Sequence, residues 1–448
     1  MFAGGGYDVA CPASHTSLKR CARELAGMQA DTPSWLTDGA AHVWRPYCQH
    51  KNAPPPLPVV ACDGSRLFLA DGRVLVDGLA SWWTAAHGYR HPHILARVEE
   101  QLRRLPHVAF GGLAHEAAYT LATRISRLLP ERLKRVFFVE SGSVAVEVAI
   151  KMAVQSFHNR GETGRRRVVC FEGAYHGDTF AAMALSDSLS GLHRPFAGFG
   201  VEAARFPLPI ESDTAFDSAF ARIAPSVACV IVEPLVQCAG GLRFHDPSVL
   251  KRLRRACDAH GILLVFDEIA TGFYRTGQRF AFLEAEVVPD IVVLGKALTG
   301  GTVPLAATIA TEAVFSAFLG EGADTALQHG PTYMGNALAC AAAHASLDLF
   351  ERDDVVGRVR RVATWLGDGL EGLRHHPDVR DVRVRGAVGV VEMRSGTSPS
   401  SAEFAERGAF IRPLRLEGAD FVYLMPPLVL DEVDMGVLLG AIRGALSR

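Results

Sequence analysis

Apolar positions along this chain keep two different rhythms. Between residues 92 and 336, continuous apolar runs occur at Val136–Val139, Val168–Phe171, Cys229–Val232, Ile262–Phe266 and Ile291–Leu294. They alternate with longer stretches such as Ile94–Leu105 and Ala117–Leu129, where apolar residues recur at helical spacing. Runs this short, without interleaved polar residues, fit strands buried on both faces, and the longer stretches fit amphipathic helices. The alternation predicts a wound α/β unit with a mixed, mostly parallel sheet.

The pattern differs on either side. Val59–Ala61, Arg66–Leu69 and Val74–Val76 are short runs broken by Asp63-Gly64 and Asp71-Gly72, after a stiff Pro54-Pro-Pro56-Leu-Pro58 spacer. They predict a small antiparallel unit. Beyond a long helical segment, Ala337–Phe350, come a helix over Val355–Leu373 and short strands near Val382–Arg385, Val388–Met393, Phe410–Arg412 and Phe421–Met425. The expected division is therefore an extension over 1–38, a small-domain segment over 39–85, a large α/β domain over 86–336, and a linking helix with the remainder of an α+β small domain over 337–448. Within the extension, Leu18, Cys21, Ala22 and Leu25 keep a short helical spacing.

Composition narrows the class. With 448 residues, 49% hydrophobic and 21% charged, and a formal net charge of −2, neither disorder nor a polyanionic partner such as nucleic acid is indicated. Nine cysteines, an odd number without a C-x-x-C pair, argue against a disulfide framework or a zinc ribbon and fit a reducing cytoplasm. No apolar run reaches the ~18 residues of a bilayer span.

The candidate chemistry lies at predicted strand ends. Asp267 closes Leu264-Val-Phe-Asp267, and Lys296 follows Ile291-Val-Val-Leu-Gly. A lysine amine can condense with an aldehyde and a buried carboxylate can keep a pyridine nitrogen protonated, so the pair suggests pyridoxal phosphate. A magnesium-ligating or helix-capping acid and a solvated loop lysine are the alternative readings. Glu140-Ser141-Gly142-Ser143 follows a strand and opens a helix, where an anion such as a phosphate is favoured, although a plain serine cap has the same pattern. Tyr175-His176-Gly177-Asp178 and Glu233 also follow apolar runs, at the edge where α/β sheets bind ligands. Adjacent Trp82 and Trp83 would point to opposite faces of an extended segment, so one of them lines a pocket or an interface, or both are core. Arg412 can clamp a carboxylate or lie on the surface. His87, His91 and His93 are separated by Gly and Pro, which breaks any common metal-binding face.

Together these segments resemble the class III, fold-type I pyridoxal-phosphate-dependent aminotransferases, from about Val43 to the C-terminus. The broad motifs are Asp267-Glu-Ile-Ala-Thr-Gly272, Gly295-Lys296-Ala-Leu-Thr-Gly-Gly301 and His329-Gly-Pro-Thr332. Narrower ones, Trp44-Arg45-Pro46-Tyr47, Asp77-Gly78-Leu-Ala-Ser-Trp82-Trp83, His107-Val-Ala-Phe-Gly-Gly112, Tyr175-His-Gly-Asp178 and Tyr423-Leu-Met-Pro-Pro427, are similar to those of members that pass an amino group from S-adenosylmethionine to 8-amino-7-oxononanoate in biotin synthesis. The resemblance implies that Lys296 bonds the cofactor aldehyde and shuttles a proton, Asp267 holds the pyridine nitrogen and Tyr175 lies against the ring. Glu233, Gly142 and Ser143 join the cofactor site, with Pro331 and Thr332 reaching in from the other subunit of a homodimer. Tyr47, Trp82, Trp83, Asp178, Arg275, Gly330 and Arg412 are assigned to substrate. An ω-amino acid or diamine transaminase would share Lys296, Asp267 and the phosphate loop, and the Trp82-Trp83 and Tyr47 set is what separates the two; on lysine as donor the sequence is silent. A cofactor-binding regulator is a third reading, which lacks a preceding basic helix-turn-helix segment. Two positions depart from the resemblance: Tyr274 replaces a small residue and is expected to crowd Arg275, and Glu140 replaces a shorter Asp.

Overall fold

A computed structural model describes residues 32–187, 193–209 and 214–447. The helical pattern around Leu18–Leu25 lies outside them. Three strands, β1 (Val59–Asp63), β2 (Arg66–Leu69) and β3 (Val74–Asp77), form an antiparallel meander.

The large sheet has seven strands: β4 (Leu133–Val139), β5 (Arg167–Phe171), β6 (Ala203–Phe206), β7 (Val227–Val232), β10 (Leu263–Asp267), β11 (Ile291–Leu294) and β12 (Ala306–Thr311), with the two-stranded ribbon β8 (Val236–Gln237) and β9 (Arg243–Phe244) between. Their order is β4-β12-β11-β10-β7-β5-β6, and only β12 pairs antiparallel with its neighbours. Every residue of β7, β11 and β12 is buried. That explains the unbroken apolar runs, because a strand covered by helices on both faces has no solvent face for polar residues.

Beyond the buried, alanine-rich helix Ala337–Arg352 and the helix Val355–Glu371 lie β13 (Val379–Arg385), β14 (Val388–Arg394), β15 (Ala409–Phe410), β16 (Leu414–Leu416) and β17 (Ala419–Leu424). A four-stranded sheet, β13-β14-β17-β16, takes all but β15, which pairs parallel with β3 through Phe410 and Asp77. That single ladder ties the early meander to the C-terminal part of the chain. The chain closes with the helix Glu432–Leu446, capped by the Asp431 side chain.

Register places the chemistry. β7, β10 and β11 are adjacent and parallel, with Val232 opposite Phe266 and Asp267 opposite Val293. Neighbouring strands lie about 4.8 Å apart, so Glu233, Asp267 and the Gly295-Lys296 step leave the sheet side by side at its carboxyl edge.

Candidate active site

At that edge is a cavity of about 170 Å³, lined by Trp83, Gly142, Ser143, Tyr175, His176, Gly177, Glu233, Asp267, Ile269, Ala270 and Lys296. The structure thus gathers eight of the residues singled out from sequence, Trp83, Gly142, Ser143, Tyr175, His176, Glu233, Asp267 and Lys296, which arrive on six separate segments.

Asp267 is buried, and its Oδ2 lies 2.7 Å from Nδ1 of His176, while Oδ1 accepts from the Ile269 amide at 3.1 Å. Burial pulls the His176 imidazole down, but the hydrogen bond to Asp267 and the charges of Asp267 and Glu233 outweigh it and raise its pKa. A raised imidazole beside an acid is a charge-assisted pair, which fixes the carboxylate's orientation. Glu233 is occupied differently: Oε2 accepts from the Tyr175 amide at 3.0 Å and Oε1 from the Cys238 amide at 2.9 Å. It ties the Tyr175 loop to the turn between β8 and β9, and burial pushes its carboxyl up to about 7.

Lys296 follows β11 at φ 45°, a left-handed backbone that non-glycine residues rarely adopt. Its Nζ lies 4.6 Å from the centroid of the Trp83 ring. Burial lowers the amine's pKa, against the opposing pull of Cys238, Asp267 and Glu233. The amine therefore sheds its proton at a lower pH than an exposed lysine, as a base working near neutrality requires.

Gly142 and Ser143 open the helix Gly142–Asn159, capped by Ser141, so their amides point out of the helix end without intrahelical acceptors. The approach is close. A Cβ at Gly142 would come within 2.9 Å of Ile269, and one at Gly177 (φ 122°) within 2.0 Å of Ser143 Oγ. An acid and an amine at one end and a helix N-terminus at the other form a donor set that fits an aromatic phosphate aldehyde such as pyridoxal phosphate.

A second cluster forms the mouth. The Tyr47 hydroxyl bonds Asp178 and lies 3.2 Å from that of Tyr175, which donates to Asp178 at 2.9 Å. Burial, then the hydrogen bond to Asp178, raises the Tyr47 phenol to about 12, so it stays a donor. His193, which the sequence did not single out, closes the group: Nε2 lies 3.0 Å from Asp178 and the ring stacks on Tyr175 at 6.0 Å. The Arg412 guanidinium stands 5.4 Å from the Trp82 ring centroid and donates to the Tyr47 carbonyl at 3.4 Å, and Trp82 meets Tyr47 edge-on at 6.1 Å.

The two tryptophans do not lie on an extended segment. Ala80, Ser81, Trp82 and Trp83 have φ of 47, 47, 53 and 74°, one left-handed turn that buries Trp83 and leaves Trp82 43% exposed. Such backbone costs about 1–2 kcal/mol per non-glycine residue, so its neighbours must hold it.

Other candidates fall elsewhere. Arg275 is buried outside the cavity lining, donating to the Pro426 carbonyl at 2.7 Å, with burial lowering its pKa to about 10. Tyr274 does not act on it as expected: its hydroxyl accepts from Arg279 at 3.1 Å and its ring lies against Phe350. Glu140 is partly buried, with Oε2 making no hydrogen bond. Gly330 and Thr332 are exposed and, with Pro331, do not line the cavity of their own chain. His87 pairs with Ser346 and meets the His91 ring edge-on at 6.4 Å, while His93 pairs with Asp348.

The sequence profile described as aminotransferase class-III matches residues 47–446. The adenosylmethionine-8-amino-7-oxononanoate aminotransferase of Mycobacterium leprae is 42% identical over 415 residues, covering 90% of this chain and 94% of the relative. A crystal structure of the enzyme of that name from Methanocaldococcus jannaschii superposes with a TM-score of 0.83 at 31% identity, over 92% of this chain and 98% of the other. An amine transaminase from an uncultivated Pseudomonas species, solved in its PLP-bound form, gives a TM-score of 0.82 at 29% identity, covering 94% and 100%. With its lysine and acid at the edge of a matching fold and the profile spanning nearly its whole length, the chain belongs to the class III aminotransferases.

Proposed function

We propose that this protein binds pyridoxal phosphate and transfers the amino group of S-adenosylmethionine to 8-amino-7-oxononanoate, giving 7,8-diaminononanoate for biotin synthesis. The observation that carries the reading is the pairing of a buried Asp267 with a partly buried Lys296 in one cavity, beneath a mouth of tyrosines, tryptophan and Arg412. The relatives' names supply the substrates.

When bound, pyridoxal phosphate supplies an aldehyde that carries the amino group and a ring that takes up the electron pair released at the substrate carbon. Lys296 Nζ would anchor the cofactor aldehyde and, when freed, would carry the proton between the substrate carbon and the cofactor carbon. Burial, which lowers its pKa, favours the neutral amine that such a transfer needs. Asp267, held by His176, would keep a proton on the ring nitrogen. Gly142 and Ser143 would hold the phosphate at the helix end, and Tyr175, positioned by Glu233, would lie against the ring.

At the mouth, Tyr47, Trp82 and Trp83 form a sleeve for an aliphatic keto acid, and Arg412 receives its carboxylate. Asp178, bonded to Tyr47 and Tyr175 in the same cluster, supplies a carboxylate for the cationic donor. Arg275, with an unpartnered buried Nη2, adds a cation beyond the cavity. Gly330 and Thr332, exposed on their own chain, and the part-buried Pro331 between them serve the neighbouring site of a homodimer.

Offering the cofactor-loaded protein S-adenosylmethionine, lysine and a diamine separately, with 8-amino-7-oxononanoate as acceptor, tests the reading. Diaminononanoate formed with S-adenosylmethionine is the expected result. Product with lysine alone would move the donor, and transfer only to another carbonyl compound would overturn the proposal.

A further inference from the structure

The left-handed turn Ala80–Trp83 contains no glycine, yet it carries one tryptophan to the lysine and the next to the mouth. A run of such residues persists only where surrounding groups over-determine it. Here the surrounding group is one carboxylate. Asp77, fully buried at the end of β3, accepts from the Leu79 amide at 2.7 Å through Oδ1, and from the Ser81 amide at 2.9 Å and the Tyr89 hydroxyl at 2.5 Å through Oδ2. The Tyr89 hydroxyl also lies 2.5 Å from Ser81 Oγ, closing a three-membered ring of hydrogen bonds around the turn.

Both ends of this strut are anchored. Tyr89 exchanges backbone hydrogen bonds with Gly64 in the β1–β2 hairpin, at 2.7 and 3.2 Å. Asp77 sits opposite Phe410 of β15, and the next amide, Gly78, donates to the Phe410 carbonyl at 3.0 Å. Arg412 is two residues further along that segment. Asp77 thus lies between the turn that aims both tryptophans and the strand that delivers the arginine.

We propose that Asp77, acting through Ser81 and Tyr89, is a positioning residue that fixes the Trp82–Trp83 turn and so sets the spacing between the lysine wall and the Arg412 mouth. Its consequence for acceptor binding rests on the transaminase reading above. The strut's effect on the tryptophans does not.

Asparagine at 77 would turn an N–H group toward the two donors that Oδ2 receives, whereas Tyr89→Phe removes one leg and leaves the ring's packing. Both changes are made in the full chain carrying Trp35→Phe, Trp44→Phe and Trp365→Phe, so that only Trp82 and Trp83 emit. Acrylamide quenching, melting temperature, and KM and kcat for each substrate are then measured. In Asp77→Asn, quenching should rise about twofold and KM for the keto acid acceptor at least about tenfold, while kcat changes less. Tyr89→Phe should move both quantities the same way by about threefold, with a near-parent melting temperature. If Asp77→Asn does not fold, Tyr89→Phe decides. Unchanged quenching and KM in a folded variant would overturn the proposal. Raised quenching in a protein that never turned over this acceptor would instead fault the transaminase reading and leave the strut standing.

Discussion

The floor of the site and its mouth are built by opposite means. On the floor, Asp267 ends a buried strand, Glu233 directly follows one and Lys296 follows a third after a single glycine, so their positions are inherited from a sheet whose central strands have no solvent face. At the mouth, Tyr47, Trp82, Asp178 and Arg412 come from turns and loops, the first three half exposed and Arg412 less so, and hold one another through direct contacts. Strand ends fix geometry tightly and suit proton transfer, which depends on sub-ångström placement. Loops can change length and composition without disturbing the core, which suits substrate choice. Chemistry and specificity should therefore respond to mutation in separable ways.

The hardest break is at the floor. Lys296→Ala should lower turnover by more than about 10⁴-fold while leaving the fold intact, since it removes both the anchor and the proton carrier. Loss of the absorbance band of lysine-bound cofactor, with a retained melting transition, would separate the two effects.

Asp267→Asn removes the charge paired with His176. A loss of about 3 kcal/mol of differential interaction corresponds to a rate loss of more than about a hundredfold, with acceptor KM little changed. A near-normal rate would remove Asp267 from the mechanism.

Glu268 stands beside Asp267, bonded to Thr271 at 2.6 Å and to the Phe282 amide at 2.8 Å. Burial pushes its carboxyl from 4.5 up to about 7. The folded state therefore keeps a proton that the unfolded chain releases between about pH 4.5 and 7, so stability falls as pH rises through that window and levels off above it. Glu268→Gln should remove up to about 3 kcal/mol of that pH dependence in equilibrium unfolding. No mouth substitution should alter it.

The smallest effect belongs to the mouth. Arg412→Leu should raise KM for the keto acid about tenfold and leave the donor half-reaction within about twofold. Equal damage to both halves would erase the distinction between floor and mouth.

This contrast also governs what could be read from the sequence. Lys296 and Asp267 stood out because each follows an apolar run, and the runs themselves map onto β4, β5, β7, β10 and β11 with ends displaced by a few residues at most. The antiparallel β12 escaped notice because alanine fills three of its six positions, and its burial comes from the sheet rather than from its own propensity. The edge strand β6 is only partly buried and carries a correspondingly faint pattern. The partnership of His176 with Asp267 spans 91 residues and exists only once β5 and β10 share a sheet. The tryptophan turn was the least legible, because Leu79-Ala-Ser-Trp-Trp has no glycine or asparagine to announce positive φ. What imposes it is Asp77, a residue whose role is visible only with its three hydrogen bonds in place.

The most direct test mixes the cofactor-loaded protein with S-adenosylmethionine alone and then with 8-amino-7-oxononanoate, following the cofactor's absorbance and identifying product by mass. The account predicts that the donor bleaches the band, the acceptor restores it, and diaminononanoate accumulates in step with the recovery. A band that the donor leaves untouched, or that recovers only with a different carbonyl compound, would contradict it.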